Sequence, residues 1–355
     1  MRAEPLARGG VDALPDELAP RRLARRLLQV LALLIVLVLA ALLAPGLDEV
    51  REHLAGASPG WLALAVAFEA LSCVSYVVMF RAVFCRTMSW RTSAEIGWSE
   101  LAAGSLVPAS GAGGLALGAW ILHRGGMPAD RIARRSVAFF LIKSSVNFVA
   151  VAVLGTLMAI GLVGPHLSLA LTALPAALSV VVIAVVLAIP RLGSGPEAAR
   201  DDPARDASRL RRGIVAVRRA LVGGTAEALD IVRSRDPLVL LGAVGYWAWD
   251  NAVLWATFHA VGANVPVSVV LMGYLIGQLG GLLPIPGGVG GIDGGLIGTL
   301  VVYGAPAAAT AAAVLAYRVI LFWLPLVGGA IAFLALRRAL EQSVRADLCE
   351  PVAAS

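Results

Sequence analysis

Long apolar stretches, separated by short polar segments, run through most of this chain. Six of them reach the roughly 20 residues that a helix needs to cross about 30 Å of hydrocarbon. These six predicted spans cover residues 27–44, 61–84, 131–162, 167–189, 237–261 and 306–336. The pattern predicts an all-α, polytopic integral membrane protein.

Two further apolar stretches, 94–122 and 267–303, are interrupted by clusters of glycine and proline. Proline removes a backbone donor and resists helix, whereas glycine permits left-handed dihedral angles. Each stretch is therefore predicted to be a helix, a break and a second helix, and we expect each to form a re-entrant helical hairpin. If each were instead two short spans or one kinked span, the count would rise, so the prediction is about six to eight transmembrane helices.

The two halves of the chain match at a constant offset of 178 residues, without a gap. The matched positions are Phe80–Val83 with Phe258–Val261, Pro108 with Pro286, Gly113 with Gly291, and Gly126–Ala129 with Gly304–Ala307. Interrupted apolar segments in corresponding halves are typical of secondary transporters, whose binding sites lie at the breaks. The alternative is chance similarity between segments rich in Ala, Leu and Gly. Identities at Pro, Gly and Phe with one fixed spacing favour the repeat.

Composition and arginine placement set the class and the topology. Hydrophobic residues make up 59% of the chain and charged residues 15%, against about 25% charge in soluble domains. With hairpins at both broken stretches, one face carries both termini and the 190–236 loop, while the other face has Arg51 as its only Lys or Arg. The positive-inside rule makes the first face cytoplasmic, in a bacterial cytoplasmic membrane. The halves, about 61–162 and 237–336, would then form an inverted repeat.

The remaining segments are two tails and one long loop. Residues 1–20 are predicted to be a disordered tail, 21–338 the transmembrane domain, and 339–355 a C-terminal tail. In the cytoplasmic loop, residues 210–232 combine helix-like spacing of apolar residues with several arginines. This pattern predicts a helix that is either solvated or lies in the membrane interface against anionic lipid.

The two breaks supply the first set of candidate binding residues. Non-helical backbone at membrane depth survives only where protein or a water-filled cavity surrounds it. A helix that resumes near Gly291 would point free N–H groups and a positive dipole end at that cavity, which suits phosphate or carboxylate. The candidates are Pro284, Pro286, Gly287, Gly288, Gly290 and Gly291 in the second break, and Pro108, Gly111 and Gly113 in the first. A glycine-rich packing face is the alternative.

Ionisable and polar residues in the apolar segments supply the second set, because an ionisable side chain alone in lipid is costly and is expected to face the protein interior. Asp293 and Arg318 lie in adjacent elements, as a structural ion pair or as a pair that opens when an anionic headgroup binds Arg318. The other candidates are Glu95, Glu100, Lys143 and Asn147, with Glu69, Arg81 and Asp250 on the spans that precede the hairpins. Interfacial or snorkelling side chains are the alternative.

Motifs for catalysis, metals and nucleic acids do not support those functions. The sequence has no Walker A, HExxH or GxSxG motif, and its four histidines are dispersed. We therefore expect no catalytic site, no metal and no cofactor. The sequence also lacks a basic domain with interleaved aromatic residues, so nucleic acid is not an expected partner.

One set of residues in the second half resembles the hallmark of a known family. It comprises Leu283–Gly291, Asp293, Tyr303-Gly304, Tyr317-Arg318 and Phe322-Trp323. These residues resemble the flippase-like transmembrane region of the lysylphosphatidylglycerol synthases, and the resemblance covers about residues 25–338. Tyr317 and Arg318 match the family's Tyr-Arg motif, and Asp293 stands where Glu is frequent. The first half departs from the pattern, since Leu115–Leu117 stand where Glu and Arg often follow the break.

The resemblance implies movement of a lipid or lipid-linked headgroup between leaflets, through a groove lined by the two broken hairpins. It does not imply aminoacyl transfer, because the synthase domain would follow the last span and only residues 339–355 remain there. The expected partners are membrane lipids, above all an anionic phospholipid or a lipid-linked intermediate. A homo-oligomer or an envelope-lipid enzyme as a further partner stays open. The alternative functions are a membrane accessory protein for envelope lipid or glycolipid assembly, and an ion-coupled carrier of a small anion.

Overall fold

A computed structural model of the chain describes residues 46–106, 112–193, 209–277 and 291–342, and the single positions 25, 28, 29, 32 and 35. Within these residues every regular element is a helix. The helices are α1 (Asp48–Ala55), α2 (Pro59–Phe84), α3 (Trp90–Leu106), α4 (Ala112–Arg124), α5 (Ala129–Ala159), α6 (Leu169–Gly193), α7 (Arg209–Arg233), α8 (Pro237–Ala260), α9 (Val267–Gly277), α10 (Gly291–Val302) and α11 (Ala307–Gln342). The predicted all-α class is confirmed.

Four helices in the described part of the chain are long and apolar enough to cross a membrane. They are α2, α5, α6 over Leu169–Arg191, and α11 over Ala307–Leu336. These four confirm the predicted spans 61–84, 131–162, 167–189 and 306–336, with boundaries that shift by a few residues. The chain is therefore a polytopic membrane protein.

Two predicted spans have a different outcome. The span predicted at 237–261 is the helix α8, but it is not among the four, which fits the polar Asp250 and Asn251 near its middle. The span predicted at 27–44 is described only at positions 28, 29, 32 and 35, and these four are helical.

Each broken apolar stretch is a pair of helices on the two sides of its break. In the first stretch α3 ends at Leu106 and α4 begins at Ala112; in the second, α9 ends at Gly277 and α10 begins at Gly291. The helix-break-helix prediction is confirmed for these flanking helices. The residues of the two breaks, 107–111 and 278–290, lie outside the described residues, so the re-entrant path stays a prediction.

The 178-residue offset is visible in local structure as well as in sequence. Both central helices begin with a proline at equivalent positions, Pro59 in α2 and Pro237 in α8, where the missing N–H costs nothing. The turn after each hairpin is closed by an equivalent glycine with positive φ, Gly126 at +90° and Gly304 at +95°. In each turn the residue after the glycine donates its N–H to a carbonyl five residues back, at 3.0 Å. Such a cap needs the left-handed conformation that glycine adopts at low cost.

The two halves interlock rather than stand side by side. The central helices α2 and α8 pack so closely that a Cβ on Gly242 would come within 2.7 Å of the backbone N of Met79. Helix α11 packs on α3, a hairpin helix of the other half. The contact is so close that a Cβ on Gly329 would lie 2.2 Å from the carbonyl oxygen of Trp98. Small residues on α8 and α11 therefore bring the halves into backbone contact.

The cytoplasmic-loop helix predicted at 210–232 is α7, and its bounds agree with the prediction. It packs against α5, where Gly224 admits the Val137 side chain and Arg135 pairs with Glu227 at 2.5 Å. Val217, on α7, is 60% exposed. This exposed apolar side chain is compatible with contact to the membrane, and that contact stays a prediction.

Candidate functional site

Buried and half-buried polar side chains from both halves form one connected series, which we call the polar chain. It runs from α5 and α3, through the central helices α2 and α8, to α9, α11 and α10. Its members are Lys143, Glu100, Tyr76, Tyr246, Glu69, Asp250, Tyr274, Tyr317, Arg318 and Asp293.

The first-half end of the polar chain is built around Glu100 on α3. Its side chain is 2% exposed, and its Oε2 accepts a hydrogen bond of 2.8 Å from the Tyr76 hydroxyl on α2. Lys143 on α5 acts electrostatically on the same carboxylate. The Lys143 ammonium lies 5.7 Å from the Tyr246 ring centre and 6.0 Å from that of Tyr76, within the range of cation–π attraction.

Two glycines of α4 hold Glu100 in this position. A Cβ on Gly114 would come within 2.4 Å of the Glu100 backbone oxygen, so the two helices of the hairpin touch through their backbones. A Cβ on Gly118 would lie 1.4 Å from Glu100 Oε1, which means that the carboxylate occupies the space above this glycine. The glycine-rich sequence of the first hairpin thus creates the space for a buried carboxyl group.

The second-half end of the polar chain is built around Asp250 on α8. The hydroxyl of Tyr317 on α11 donates to Asp250 Oδ1 at 3.1 Å, and the hydroxyl of Tyr274 on α9 donates to Oδ2. Arg318, next to Tyr317, acts electrostatically on the same carboxylate. Both carboxylate oxygens of Asp250 therefore have a donor, as a buried carboxylate needs.

Arg318 joins this end to the second hairpin. Its Nε lies 2.6 Å from Asp293 Oδ1, and the two side chains are 12% and 7% exposed. Asp293 sits in the first turn of α10, where the helix dipole favours a negative charge. The predicted resumption of helix near Gly291 and the predicted proximity of Asp293 to Arg318 are both found.

The two ends meet at the contact between α2 and α8. Ser72 Oγ on α2 donates to the Tyr246 carbonyl at 3.2 Å, and the Tyr76 and Tyr246 rings are 5.5 Å apart. Glu69, one turn before Cys73, interacts electrostatically with Asp250. The central helices thus connect a polar cluster of one half to that of the other.

The structure brings together seven of the predicted site residues and leaves others untested. These seven members of the polar chain are Glu69, Glu100, Lys143, Asp250, Asp293, Tyr317 and Arg318. The described residues do not include seven of the break candidates, namely Pro108, Gly111, Pro284, Pro286, Gly287, Gly288 and Gly290. Gly113 and Gly291 lie at the starts of α4 and α10, beside the two breaks.

Some candidates named from sequence lie elsewhere. Glu95, whose side chain is 14% exposed, pairs at 3.0 Å with Arg91, which is 84% exposed, in the first turns of α3. Arg81 donates to the Met88 carbonyl at 2.7 Å and lies 4.4 Å from the Trp90 ring centre. These contacts agree with the interfacial alternative for both residues.

Sequence reasoning missed the tyrosines of the polar chain other than Tyr317. Tyr76 and Glu100 are 24 residues apart, and so are Asp250 and Tyr274. An acid and a tyrosine at the same separation in both halves is a sequence pattern that indicates a paired contact. The pattern could be interpreted only with the knowledge that each central helix packs on the hairpin that follows it.

The described residues form helices throughout, four of them long and apolar enough to cross a membrane, with a buried polar chain between them. These features define a polytopic membrane protein. The family model described as the lysylphosphatidylglycerol synthase TM region matches residues 29–329. The chain belongs to this family. It is also similar to a UPF0104 membrane protein of Methanothermobacter thermautotrophicus, with 29% identity over 117 residues. That match covers 31% of this chain and 35% of the relative.

Proposed function

We propose that this protein moves an anionic lipid, or a lipid-linked anionic headgroup, between the leaflets of a bacterial cytoplasmic membrane. In this proposal it acts as a flippase or scramblase and has no catalytic activity of its own. The observation that carries the proposal is the polar chain, which links the two hairpin regions through the central helices. Ionisable groups inside a membrane protein are expensive and mark substrate or ion pathways.

The family supports a lipid over a soluble substrate. Its name describes the transmembrane region of an enzyme that makes a lipid, lysylphosphatidylglycerol. A lipid substrate needs a polar surface for its headgroup while its acyl chains stay in hydrocarbon. The groove would lie between the hairpins, and the break residues 107–111 and 278–290 are its proposed lining.

Arg318 is the proposed headgroup ligand. In the structure its guanidinium contacts Asp293, but a guanidinium has five N–H donors and binds phosphate in bidentate fashion. When a phosphate replaces Asp293, that carboxylate keeps the favourable N-terminus of α10. After this exchange the phosphate has the Arg318 guanidinium, and the Asp293 carboxylate has the positive end of the α10 dipole.

Leaflet exchange of labelled phosphatidylglycerol in proteoliposomes tests the proposal. Arg318→Ala should abolish exchange while the protein stays folded, and Arg318→Lys should restore part of it, because lysine offers a point charge without the fork. Arg91→Ala is the matched control, since Arg91 is an arginine in an exposed ion pair, and it should exchange at the wild-type rate.

The double variant Asp293→Asn with Arg318→Gln separates binding from structure. If Arg318 only neutralises Asp293, removing one partner leaves a buried charge and removing both restores stability and exchange. Full exchange by the double variant would therefore overturn the role of Arg318 in binding. A folded wild type that moves no lipid but co-purifies with an envelope-lipid enzyme would instead support an accessory function.

A further inference from the structure

Two buried carboxyl groups from different halves lie on neighbouring helices, Glu69 on α2 and Asp250 on α8. Glu69 of α2 interacts electrostatically with Asp250 of α8. Two interactions near these groups join α2 to α8. The rings of Phe68 and Trp249 stack at 5.5 Å, and Ser72 Oγ donates to the Tyr246 carbonyl at 3.2 Å.

The surroundings of Glu69 suit a neutral carboxyl group. The residue is 5% exposed. Its Oε1 lies 3.6 Å from Cys73 Sγ, a weak donor, and its Oε2 is buried and has no hydrogen-bond partner among the described residues. An ionised carboxylate buried without donors is strongly disfavoured, whereas a protonated one is tolerated far better.

The surroundings of Asp250 differ from those of Glu69, because they supply hydrogen-bond donors to both carboxylate oxygens. Tyr274 and Tyr317 both donate to its carboxylate, and Arg318 supplies a nearby positive charge. The titratable and charged groups around the pair come from five other helices as well as from α2 and α8. They are Cys73 on α2, Tyr246 on α8, Tyr274 on α9, Tyr317 and Arg318 on α11, Asp293 on α10, and, toward the first half, Glu100 on α3 and Lys143 on α5.

We propose that Glu69, paired with Asp250, takes up and releases one proton in each transport cycle, so that lipid movement is coupled to a proton gradient. This inference rests on the proposed function above. A proton from water on one face forms the O–H bond at Glu69 Oε2, and the same bond breaks when the proton leaves to the other face. The proton carries one positive charge and the anionic headgroup one negative charge in the same direction, so one cycle moves no net charge.

The coupling runs through Arg318. When Glu69 is ionised, its charge adds to that of Asp250 and increases the attraction that holds Arg318 on the protein's own carboxylates. When Glu69 is protonated, that extra attraction is gone and a phosphate competes more easily for the guanidinium. Proton and anionic headgroup therefore favour each other's binding, and by linkage the effect is reciprocal.

Infrared spectroscopy tests the proton site without any transport. In the reconstituted full-length protein, the band of a protonated carboxyl group should titrate with pH, and Glu69→Gln should remove it. Glu95→Gln is the matched control, because Glu95 pairs with the exposed Arg91 and lies outside the polar chain, and it should keep the band. A titrating band unchanged in Glu69→Gln overturns the inference.

A pH gradient across proteoliposomes, with the membrane potential clamped, tests the coupling. Wild type should concentrate labelled phosphatidylglycerol in the leaflet facing the alkaline side, by about tenfold per pH unit for one proton per lipid. Glu69→Gln, a mimic of the protonated state, should exchange lipid but leave the leaflets equal.

The outcomes distinguish the inference from the proposed function. Wild-type exchange that ignores a pH gradient, or follows a sodium gradient instead, overturns proton coupling and leaves lipid movement standing. A Glu69-dependent infrared band in a protein that moves no lipid overturns the proposed function and supports the proton site.

Discussion

The two halves of this chain share a scaffold but exchange the chemistry placed on it. In the first half the central helix carries the tyrosine, Tyr76, and the hairpin carries the acid, Glu100. In the second half the central helix carries the acid, Asp250, and the hairpin carries the tyrosine, Tyr274. The contact between helix and hairpin is therefore retained while donor and acceptor change places.

The small residues that pack each hairpin are exchanged in the same way. In the first hairpin the close-contact glycines are Gly114 and Gly118 on the second helix, beneath Glu100. In the second hairpin they are Gly273 and Gly277 on the first helix, and a Cβ on Gly277 would lie 2.7 Å from the Cα of Leu296. The first hairpin thus packs around a carboxyl group and the second around leucines. A repeated fold does not imply that its two copies bind the same group.

The cations differ as well. Lys143 lies among aromatic rings near Glu100, whereas Arg318 contacts Asp293 directly and has Asp250 nearby. A guanidinium fork suits bidentate recognition of phosphate, and an ammonium acts as a compact point charge. This difference is the reason that the proposed headgroup site lies in the second half.

The largest expected effect concerns the orientation of the two halves. In a background without native cysteines, Asp48→Cys and Asn264→Cys should react with an impermeant maleimide added outside cells, and Asp230→Cys should react only after permeabilisation. The reason is that arginine-rich segments stay in the cytoplasm. All three wild-type residues are exposed. Cytoplasmic labelling at position 264 would remove the inverted arrangement and make the halves parallel copies.

The next largest effect comes from filling the space beneath Glu100. Gly118→Ala places a methyl group 1.4 Å from Glu100 Oε1, so the carboxylate must move away from Tyr76. We expect a loss of about 1–3 kcal/mol in the free energy of unfolding in detergent, together with slower lipid exchange.

Gly298→Ala is the control for that change. Gly298 also lies in the second helix of a hairpin, but a Cβ added there would meet no neighbouring atom within 4 Å. Replacing a helical glycine by alanine in open space should stabilise the protein by up to about 1 kcal/mol. Equal destabilisation by both variants would contradict the idea that the first hairpin is packed around its carboxyl group.

The smallest effect distinguishes the two tyrosines. Tyr76→Phe removes the hydroxyl that donates to Glu100, whereas Tyr274→Phe leaves Asp250 with the donor Tyr317. A hydrogen bond contributes about 0.5–1.5 kcal/mol net, and we expect Tyr76→Phe to cost roughly twice as much stability as Tyr274→Phe. Chemical unfolding of both variants in the same detergent measures the difference, and the reverse order would show that Asp250 depends on Tyr274 alone.

Most of the fold was predictable because hydrophobic length and the Gly/Pro interruptions are local properties of the sequence. The bounds of α2, α6 and α7 follow directly from such patterns. The apolar stretch 237–261 also predicted a helix at α8, although Asp250 and Asn251 lower its hydropathy. The paths through the two breaks depend on tertiary surroundings, which a local pattern does not contain.

The site was predictable only where charge revealed it. Glu100, Lys143, Asp293 and Arg318 stand out because an ionisable residue in an apolar segment is expensive. Tyr76 and Tyr274 do not stand out, since a tyrosine fits an apolar helix and its hydroxyl finds a partner only after folding. The same charge rule also selected Glu95, which pairs with the exposed Arg91 outside the polar chain, because sequence alone does not tell which face of a helix is covered.

The backbone contact between Gly329 and Trp98 has a consequence for biosynthesis. The hairpin helix α3 is synthesised early, yet the surface against which it packs arrives with α11, more than 200 residues later in the chain. During translation this face must be covered by lipid, by the insertion machinery or by another chain until the last helix enters the membrane. Completion of the fold is therefore tied to the end of synthesis, and a ribosome that stalls before residue 307 leaves both halves unfinished.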